Sequence, residues 1–130
     1  MLNVYIVDDE PLARAELRFL LEQTKLVQII GESEDLEEIL LDSQFEQIDC
    51  VFLDIQLGVN NGLELAKQLQ LSIRKPEIIF ATAYDEYALQ AFEVNAFDYI
   101  LKPFEPERVQ SAVEKLVAKK EQHRLRRWKN

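Results

Sequence analysis

The sequence contains only one cysteine, Cys50, and only one histidine, His123. A single cysteine excludes an internal disulfide, and this pair is too small for a Cys/His metal site. His123 lies in a basic tail, which argues against a Ser/His/Asp triad. The three glycines, Gly31, Gly58 and Gly62, are too few for a glycine-rich loop that cradles phosphate. The familiar metal, hydrolase and nucleotide signatures are therefore absent.

Long apolar runs are also missing. No stretch approaches the roughly 20 residues that span a bilayer, and the amino terminus lacks the basic-then-apolar pattern of a secretion signal. A length of 130 residues with 48% hydrophobic residues suits one domain with its own core. We therefore expect a cytoplasmic domain that is neither secreted nor inserted into a membrane.

The net charge of −9 is unevenly distributed. Residues 119–130 contain six basic residues and one acid, so the preceding part of the chain is more acidic than the total suggests. Such an acidic body does not bind nucleic acid by itself. The basic tail could contact nucleic acid, or it could be a solvated helix end or a linker.

Apolar runs typical of buried strands alternate with segments of helical period. The predicted strands are residues 2–7, 27–31, 49–53, 77–81 and 97–101. The predicted helices are residues 11–23, 36–44, 63–70 and 86–94, with a fifth from residue 106 into the basic tail. This alternation predicts an α/β domain with a doubly wound, five-stranded parallel sheet covered by helices on both faces.

Acidic side chains follow two of these strands. Asp8 and Asp9 come after the first strand, and Asp54 comes after the third. Because the carboxyl ends of parallel strands share one edge, the acids converge where open α/β folds bind ligands. One of the first pair could simply cap the helix that begins near Pro11. Alternatively, the three acids share a hard cation such as Mg²⁺, which would relieve their mutual repulsion.

Thr82 and Lys102 follow the fourth and fifth predicted strands at the same edge. Taken singly, the threonine is a β-former and the lysine a solvated surface group. Together they provide the hydroxyl donor and the cation that a phosphoryl group requires. Tyr99, considered alone, is a core aromatic whose hydroxyl reaches the surface.

Five segments, in this order, resemble the receiver domain of two-component response regulators, from Met1 to about Lys119. The segments are Val7-Asp8-Asp9-Glu10-Pro11, Phe52-Leu53-Asp54-Ile55, Gly62, Thr82-Ala83 and Tyr99-Ile100-Leu101-Lys102-Pro103-Phe104. Residues 80–99 are similar to regulators of the LytR/AlgR type, most closely the LytR regulators of Gram-positive autolysis systems. The resemblance implies a (βα)5 flavodoxin-like receiver fold over residues 1–119.

The resemblance also implies roles for individual residues. Asp54 would accept a phosphoryl group from a sensor histidine kinase, and Lys102 would contact the phosphoryl oxygens. Thr82 and Tyr99 would form the switch pair. The implied Mg²⁺ ligands are Asp8 or Asp9, Asp54 and the Gln56 carbonyl.

Regulators of this type carry a LytTR DNA-binding output domain, which these 130 residues lack. Residues 120–130 would begin the linker to it, and DNA would be bound, for control of transcription, only through that domain. Residues 88–94 contain more apolar positions than one buried stripe needs, which suggests a homodimer through the fourth helix, fifth strand and fifth helix. The alternative is that this helix is short and nearly all buried.

Two other classes of protein are alternatives to a receiver domain. A phosphatase or phosphotransferase with a covalent Asp54 nucleophile would want an acid at position 56, where Gln56 stands. An interaction module that is never phosphorylated would be favoured by loss of an acid or of Lys102, and all are present. One departure concerns Gly58, where receivers commonly carry proline, and glycine leaves that loop freer. We expect a phosphoacceptor, not an enzyme.

Overall fold

The computed structural model describes residues 1–41, 44–58, 60–72 and 74–129. Five parallel strands form one sheet in the order β2-β1-β3-β4-β5. They are β1 (Leu2–Val7), β2 (Val27–Ser33), β3 (Cys50–Leu53), β4 (Glu77–Thr82) and β5 (Asp98–Leu101). The strand order reverses direction at β1, which makes the edge beside β1 and β3 the topological switch point. The predicted doubly wound α/β fold is confirmed.

Helices connect these strands. They are α1 (Pro11–Thr24), α2 (Leu36–Leu41), α3 (Gly62–Gln70), α4 (Ala88–Glu93) and α5 (Pro106–Lys129). The second helix was predicted over residues 36–44; it ends at Leu41, residues 42 and 43 lie outside the described residues, and a 3₁₀ turn spans Phe45–Gln47. The fourth is shorter than predicted at both ends.

Helices cover both faces of the sheet because neighbouring strand residues point in opposite directions. In β1, Val4 and Ile6 pack into a core with α1 and α5. Tyr5 and Val7 pack into a second core with α2, α3 and α4. Cys50 is fully buried, and this burial raises the pKa of its thiol well above the ordinary value.

The fifth helix continues through the boundary predicted at residue 119. Lys119 Nζ lies 2.8 Å from Glu77 Oε1, and Lys120 Nζ lies 3.1 Å from Asp49 Oδ1. These ion pairs attach the helix to the amino-terminal edge of the sheet. The next residues, 121–126, are exposed. Among the described residues, no helix has the length and apolar character to cross a membrane.

Candidate phosphorylation site

Two buried aspartates meet at the carboxyl edge of the sheet. Val7 and Leu53 are partners in the pairing of β1 with β3, so Asp8 and Asp54, which follow them, emerge side by side. The Asp54 N–H donates to the Val7 carbonyl over 2.9 Å, which extends the ladder to Asp54 itself. Asp8 is 3% exposed and Asp54 is 5% exposed. The register of β1 with β3 therefore places the carboxylates of Asp8 and Asp54, both predicted site residues, next to each other.

Lys102 reaches these carboxylates from the end of β5. Its ammonium nitrogen lies 2.9 Å from Asp8 Oδ2 and 2.9 Å from Asp54 Oδ2. It also lies 2.8 Å from Glu10 Oε1. Because an ammonium group has three N–H donors, these three carboxylates account for all of them. The peptide bond between Lys102 and Pro103 is cis.

Backbone groups hold the remaining carboxylate oxygens. The Glu10 N–H donates to Asp8 Oδ1 over 2.9 Å, and the Gln56 N–H donates to Asp54 Oδ1 over 3.3 Å. Burial raises the pKa of Asp8, while the hydrogen bonds from the Glu10 N–H and Lys102 act against this rise. Each buried acid is thus oriented by one backbone donor and one shared cation.

The cluster also shifts the pKa values of its other two charged groups. Burial alone would lower the pKa of Lys102, but its hydrogen bonds to Glu10, Asp8 and Asp54 raise it far above the usual lysine value. The hydrogen bond from Lys102 lowers the pKa of Glu10. The lysine is therefore a permanent cation at neutral pH.

Three carboxylates are placed to hold a metal ion. Asp8, Glu10 and Asp54 each offer an oxygen within 4.8 Å of the others. Carboxylate oxygens are the ligands that Mg²⁺ prefers, so the donor set fits that ion. Asp9, predicted from the sequence, is exposed and lies on the rim of the same cleft, which has a volume of about 350 Å³. The cleft is lined by Asp9, Glu10, Asp54, Gln56, Gly58, Ala83, Tyr84 and Lys102.

The sequence also allowed the hypothesis that Asp8 or Asp9 only caps α1, and the geometry does not support it. Glu10 occupies the N-cap position, and its side chain forms no cap hydrogen bond. Pro11 begins the helix, where its missing N–H is not needed. Glu10 is the site residue that sequence reasoning missed, although it continues the acidic run after β1. Its carboxylate turns to Lys102 instead of the helix.

The loop after Asp54 explains the departure at Gly58. Gly58 has a φ of +62°, a left-handed conformation that glycine adopts without a steric penalty. Proline is fixed near −65° and could not adopt it. Next, Asn61 caps α3, its Oδ1 accepting the Leu63 N–H over 2.7 Å. The backbone conformation at position 58 therefore favours the glycine found there over proline.

Thr82 and Tyr99 both contact the backbone of Tyr84. The Thr82 side chain is fully buried, and its Oγ1 accepts the Tyr84 N–H over 3.4 Å. The Tyr99 hydroxyl donates to the Tyr84 carbonyl. The Tyr99 ring also contacts Phe80, with 6.1 Å between ring centroids. The two predicted switch residues are thus joined through the backbone of Tyr84.

Comparisons with known proteins agree with this geometry. Residues 4–114 match the family model of the response regulator receiver domain. The chain belongs to this family, as the resemblance had predicted. It is also similar to the response regulatory domain of mrkE from Klebsiella pneumoniae, with a TM-score of 0.86 and 39% identity over 93% of this chain and 99% of that one.

Among curated proteins, the chain is 54% identical over 121 residues to the sensory transduction protein LytT of Bacillus cereus. It is 48% identical over 119 residues to the transcriptional regulatory protein LytR of Staphylococcus aureus. These alignments cover 93% and 92% of this chain but only 49% and 48% of the two relatives. The chain therefore spans about half the length of these regulators, and it is a receiver domain of the LytT/LytR type.

Proposed function

We propose that this receiver accepts a phosphoryl group on Asp54 from the phosphohistidine of a sensor histidine kinase. The observation that carries the assignment is the position of Asp54: it is buried, shares Lys102 with Asp8, and still lines an open cleft. A carboxylate oxygen of Asp54 forms the new bond to phosphorus. The bond between phosphorus and the histidine nitrogen breaks, and the imidazole leaves with that electron pair.

In this role the chain supplies position and charge. Lys102 remains protonated and offsets the negative charge that builds on the transferring oxygens. Asp8, Asp9 and the Gln56 carbonyl, together with Asp54, would hold Mg²⁺. The bound ion supplies further positive charge at the phosphoryl oxygens. Since Gln56 carries an amide where a covalent phosphatase wants an acid, the domain receives the group without acting as an enzyme.

The switch residues would then change partners. Thr82 would give up the Tyr84 N–H and turn its hydroxyl to the phosphoryl oxygens. Tyr99 would rotate into the space released, which alters the face formed by α4, β5 and α5. The motive is that both residues already contact the backbone of Tyr84, Thr82 at its N–H and Tyr99 at its carbonyl, so a movement of this residue changes both contacts.

The altered face would control transcription. Residues 120–130 would begin the linker to a LytTR-type DNA-binding domain outside this sequence, and DNA would be bound only there. A homodimer through α4, β5 and α5 would bring two such domains together. The cytoplasm is the compartment that fits a kinase-driven receiver of this kind.

Intact-mass spectrometry tests the acceptor. Wild type and Asp54→Asn are treated with acetyl phosphate, with and without Mg²⁺, beside the control Asp85→Asn, which replaces an exposed acid that does not line the cleft. We expect a Mg²⁺-dependent adduct on wild type and on the control, and none on Asp54→Asn. An adduct at the wild-type level on Asp54→Asn would move the acceptor elsewhere.

A further inference from the structure

Glu10 forms an ion pair with Lys102 although its own side chain lies mostly in solvent. Its side chain is 64% exposed, yet Oε1 lies 2.8 Å from the Lys102 ammonium nitrogen, across 92 positions of sequence. Glu10 occupies the N-cap position of α1 without capping it. The glutamate therefore directs its hydrogen bonding to the lysine and not to the helix.

The other two carboxylates on Lys102 have competing tasks in the proposed function. Asp54 gives an oxygen to the new bond with phosphorus, and the two buried carboxylates Asp8 and Asp54 are candidate metal ligands, with the exposed Glu10 as the third member of that group. When these groups are engaged, the lysine loses two of the three partners that hold it. Glu10 lies at the solvent side of the cleft and contacts Lys102 through Oε1 alone, so it can keep this contact when the two buried carboxylates are engaged.

We propose that Glu10 is a positioning residue that holds the Lys102 ammonium over the cleft while Asp8 and Asp54 engage the metal ion and the phosphoryl group. This role rests on the proposed function of Asp54. A lysine side chain has four rotatable bonds, so an unanchored ammonium spends less time where it can contact the phosphoryl oxygens. Glu10 acts through Lys102 and does not touch the phosphoryl group.

The test measures the initial rate of Asp54 phosphorylation by acetyl phosphate across a Mg²⁺ titration. We compare wild type, Glu10→Gln, Glu10→Ala, Lys102→Ala and the double variant Glu10→Ala with Lys102→Ala. We expect Glu10→Ala to lower the rate at saturating Mg²⁺ roughly tenfold, with a smaller loss in Glu10→Gln, whose amide oxygen still accepts a hydrogen bond. The half-saturating Mg²⁺ concentration should stay unchanged, and Glu10→Ala should have no further effect once Lys102 is absent.

A matched control separates this role from the general effect of an acid at a helix start. Glu107 is an exposed acid in the first turn of α5 and does not line the cleft, so Glu107→Gln should leave the rate unchanged. A second readout is independent of phosphorylation. With Mg²⁺ bound, nuclear relaxation of the Lys102 Cε methylene should report a more mobile side chain in Glu10→Ala than in wild type.

Each contrary result has its own meaning. A wild-type rate in Glu10→Ala, or an equal loss in the Lys102→Ala background, would overturn the positioning role. An altered Mg²⁺ requirement with an unchanged saturated rate would overturn it too, and would make Glu10 a metal ligand. Absence of any adduct on wild type would instead overturn the proposed function, and the role of Glu10 with it.

Discussion

Gly62 lies directly against the backbone of Asp54. A Cβ atom on Gly62 would overlap the Asp54 carbonyl oxygen and stand 2.9 Å from the Ile55 Cα. In addition, the Gly62 N–H donates to the Ile55 carbonyl over 2.6 Å. Only glycine lets the start of α3 approach the Asp54 backbone this closely.

Gly62→Ala should therefore destabilise the domain by roughly 2–3 kcal/mol, since backbone atoms must shift to admit the methyl group. Gly58→Ala is the matched comparison, because that glycine has a left-handed φ of +62°, but an added Cβ would meet only Asp9 Oδ2 at an ordinary contact distance of 3.9 Å. Its cost should be about 1 kcal/mol. Urea denaturation measures both. A smaller loss in Gly62→Ala than in Gly58→Ala would show that the close approach is not limiting.

Asp8→Asn should remove the response of stability to Mg²⁺ without destabilising the metal-free domain. Burial raises the pKa of Asp8, so its charged form opposes folding and its contribution to stability falls as pH rises through the folded-state value. Lys102 keeps two other carboxylates when this one is neutralised.

Thermal melts at pH 5 and pH 7.5, with and without Mg²⁺, check this expectation. Wild type should gain about 1–3 kcal/mol from a tenfold to hundredfold excess of Mg²⁺ over its dissociation constant. Asp8→Asn should gain nothing, and Asp9→Ala should show a reduced response if Asp9 is a ligand. An unchanged Mg²⁺ response in both variants would move the metal site elsewhere.

The strand ends were predictable because continuous apolar runs determine where buried strands lie. Asp8, Asp54 and Lys102 converge as soon as those strands pair in parallel, so the central cluster followed from strand positions alone. The contact of Glu10 with Lys102 does not follow from the strand positions. This contact depends on the rotamers of two long side chains from elements far apart in sequence, and the hydropathy pattern does not predict it.

Strand and helix limits were less predictable. The second strand was expected to end at residue 31, yet β2 continues to Ser33. Glu32 and Ser33 pair with Ile6 and Val7 through backbone groups, which any side chain can do. A polar residue can therefore end an apolar run in the sequence while the strand continues. Strand propensity does not distinguish such a residue from one that ends the strand itself.

Thr82 and Tyr99 should be energetically coupled through Tyr84. Tyr99→Phe removes the hydrogen bond to the Tyr84 carbonyl and should cost about 1 kcal/mol. Thr82→Val removes the buried hydroxyl while keeping the shape of the side chain, and Thr82→Ser is the control that keeps the hydroxyl. A double-mutant cycle in the resting domain should give a coupling of about 0.5–1 kcal/mol.

Activation with beryllofluoride should change this coupling, because Thr82 would then turn its hydroxyl away from the Tyr84 N–H. Unfolding free energies of the four proteins, measured with and without beryllofluoride and Mg²⁺, provide the comparison. Strict additivity in both states would mean that the Tyr84 peptide does not transmit the switch.

The ion pair between Asp98 and Arg108 should make stability depend on pH. Burial acts to raise the pKa of Asp98, but hydrogen bonds from Arg108 and the Tyr99 N–H outweigh it, and the pKa is lowered. A lowered pKa means that this stability is present above the unfolded-state value and is lost as pH falls through the folded-state value. Arg108 also donates to the Tyr99 carbonyl over 3.1 Å.

Arg108→Met should therefore cost about 1 kcal/mol at pH 7, a modest value because water screens this partly exposed pair. The cost should shrink near pH 3. Arg124→Met is the control: it removes an exposed pair with Glu121 and should change nothing measurable. Denaturant titrations at both pH values measure the difference. An equal cost at pH 3 and pH 7 would assign the loss to packing of the arginine stem.

The homodimer proposed for the activated domain needs an apolar face, and α4 presents one. Leu89 is 68% exposed and Phe92 is 78% exposed, while Leu101 of β5 is 44% exposed. Among the six residues of α4 only Ala91 is buried, so the helix is not hidden in the core. Exposed large apolar side chains near the switch residues are suited to a surface that pairs after activation.

Sedimentation with and without beryllofluoride, in the presence of Mg²⁺, tests this face. The activated wild type should form dimers that Phe92→Asp prevents, because a buried, unpaired carboxylate at the centre of an interface is costly. Leu41→Asp is the control, since Leu41 is 84% exposed and ends α2, which packs against β2 at the opposite edge of the sheet from β5. Dimers lost equally in both variants would place the interface elsewhere. A wild type that stays monomeric when activated would mean that the receiver alone does not drive pairing, and that the proposed DNA-binding domain would have to do so.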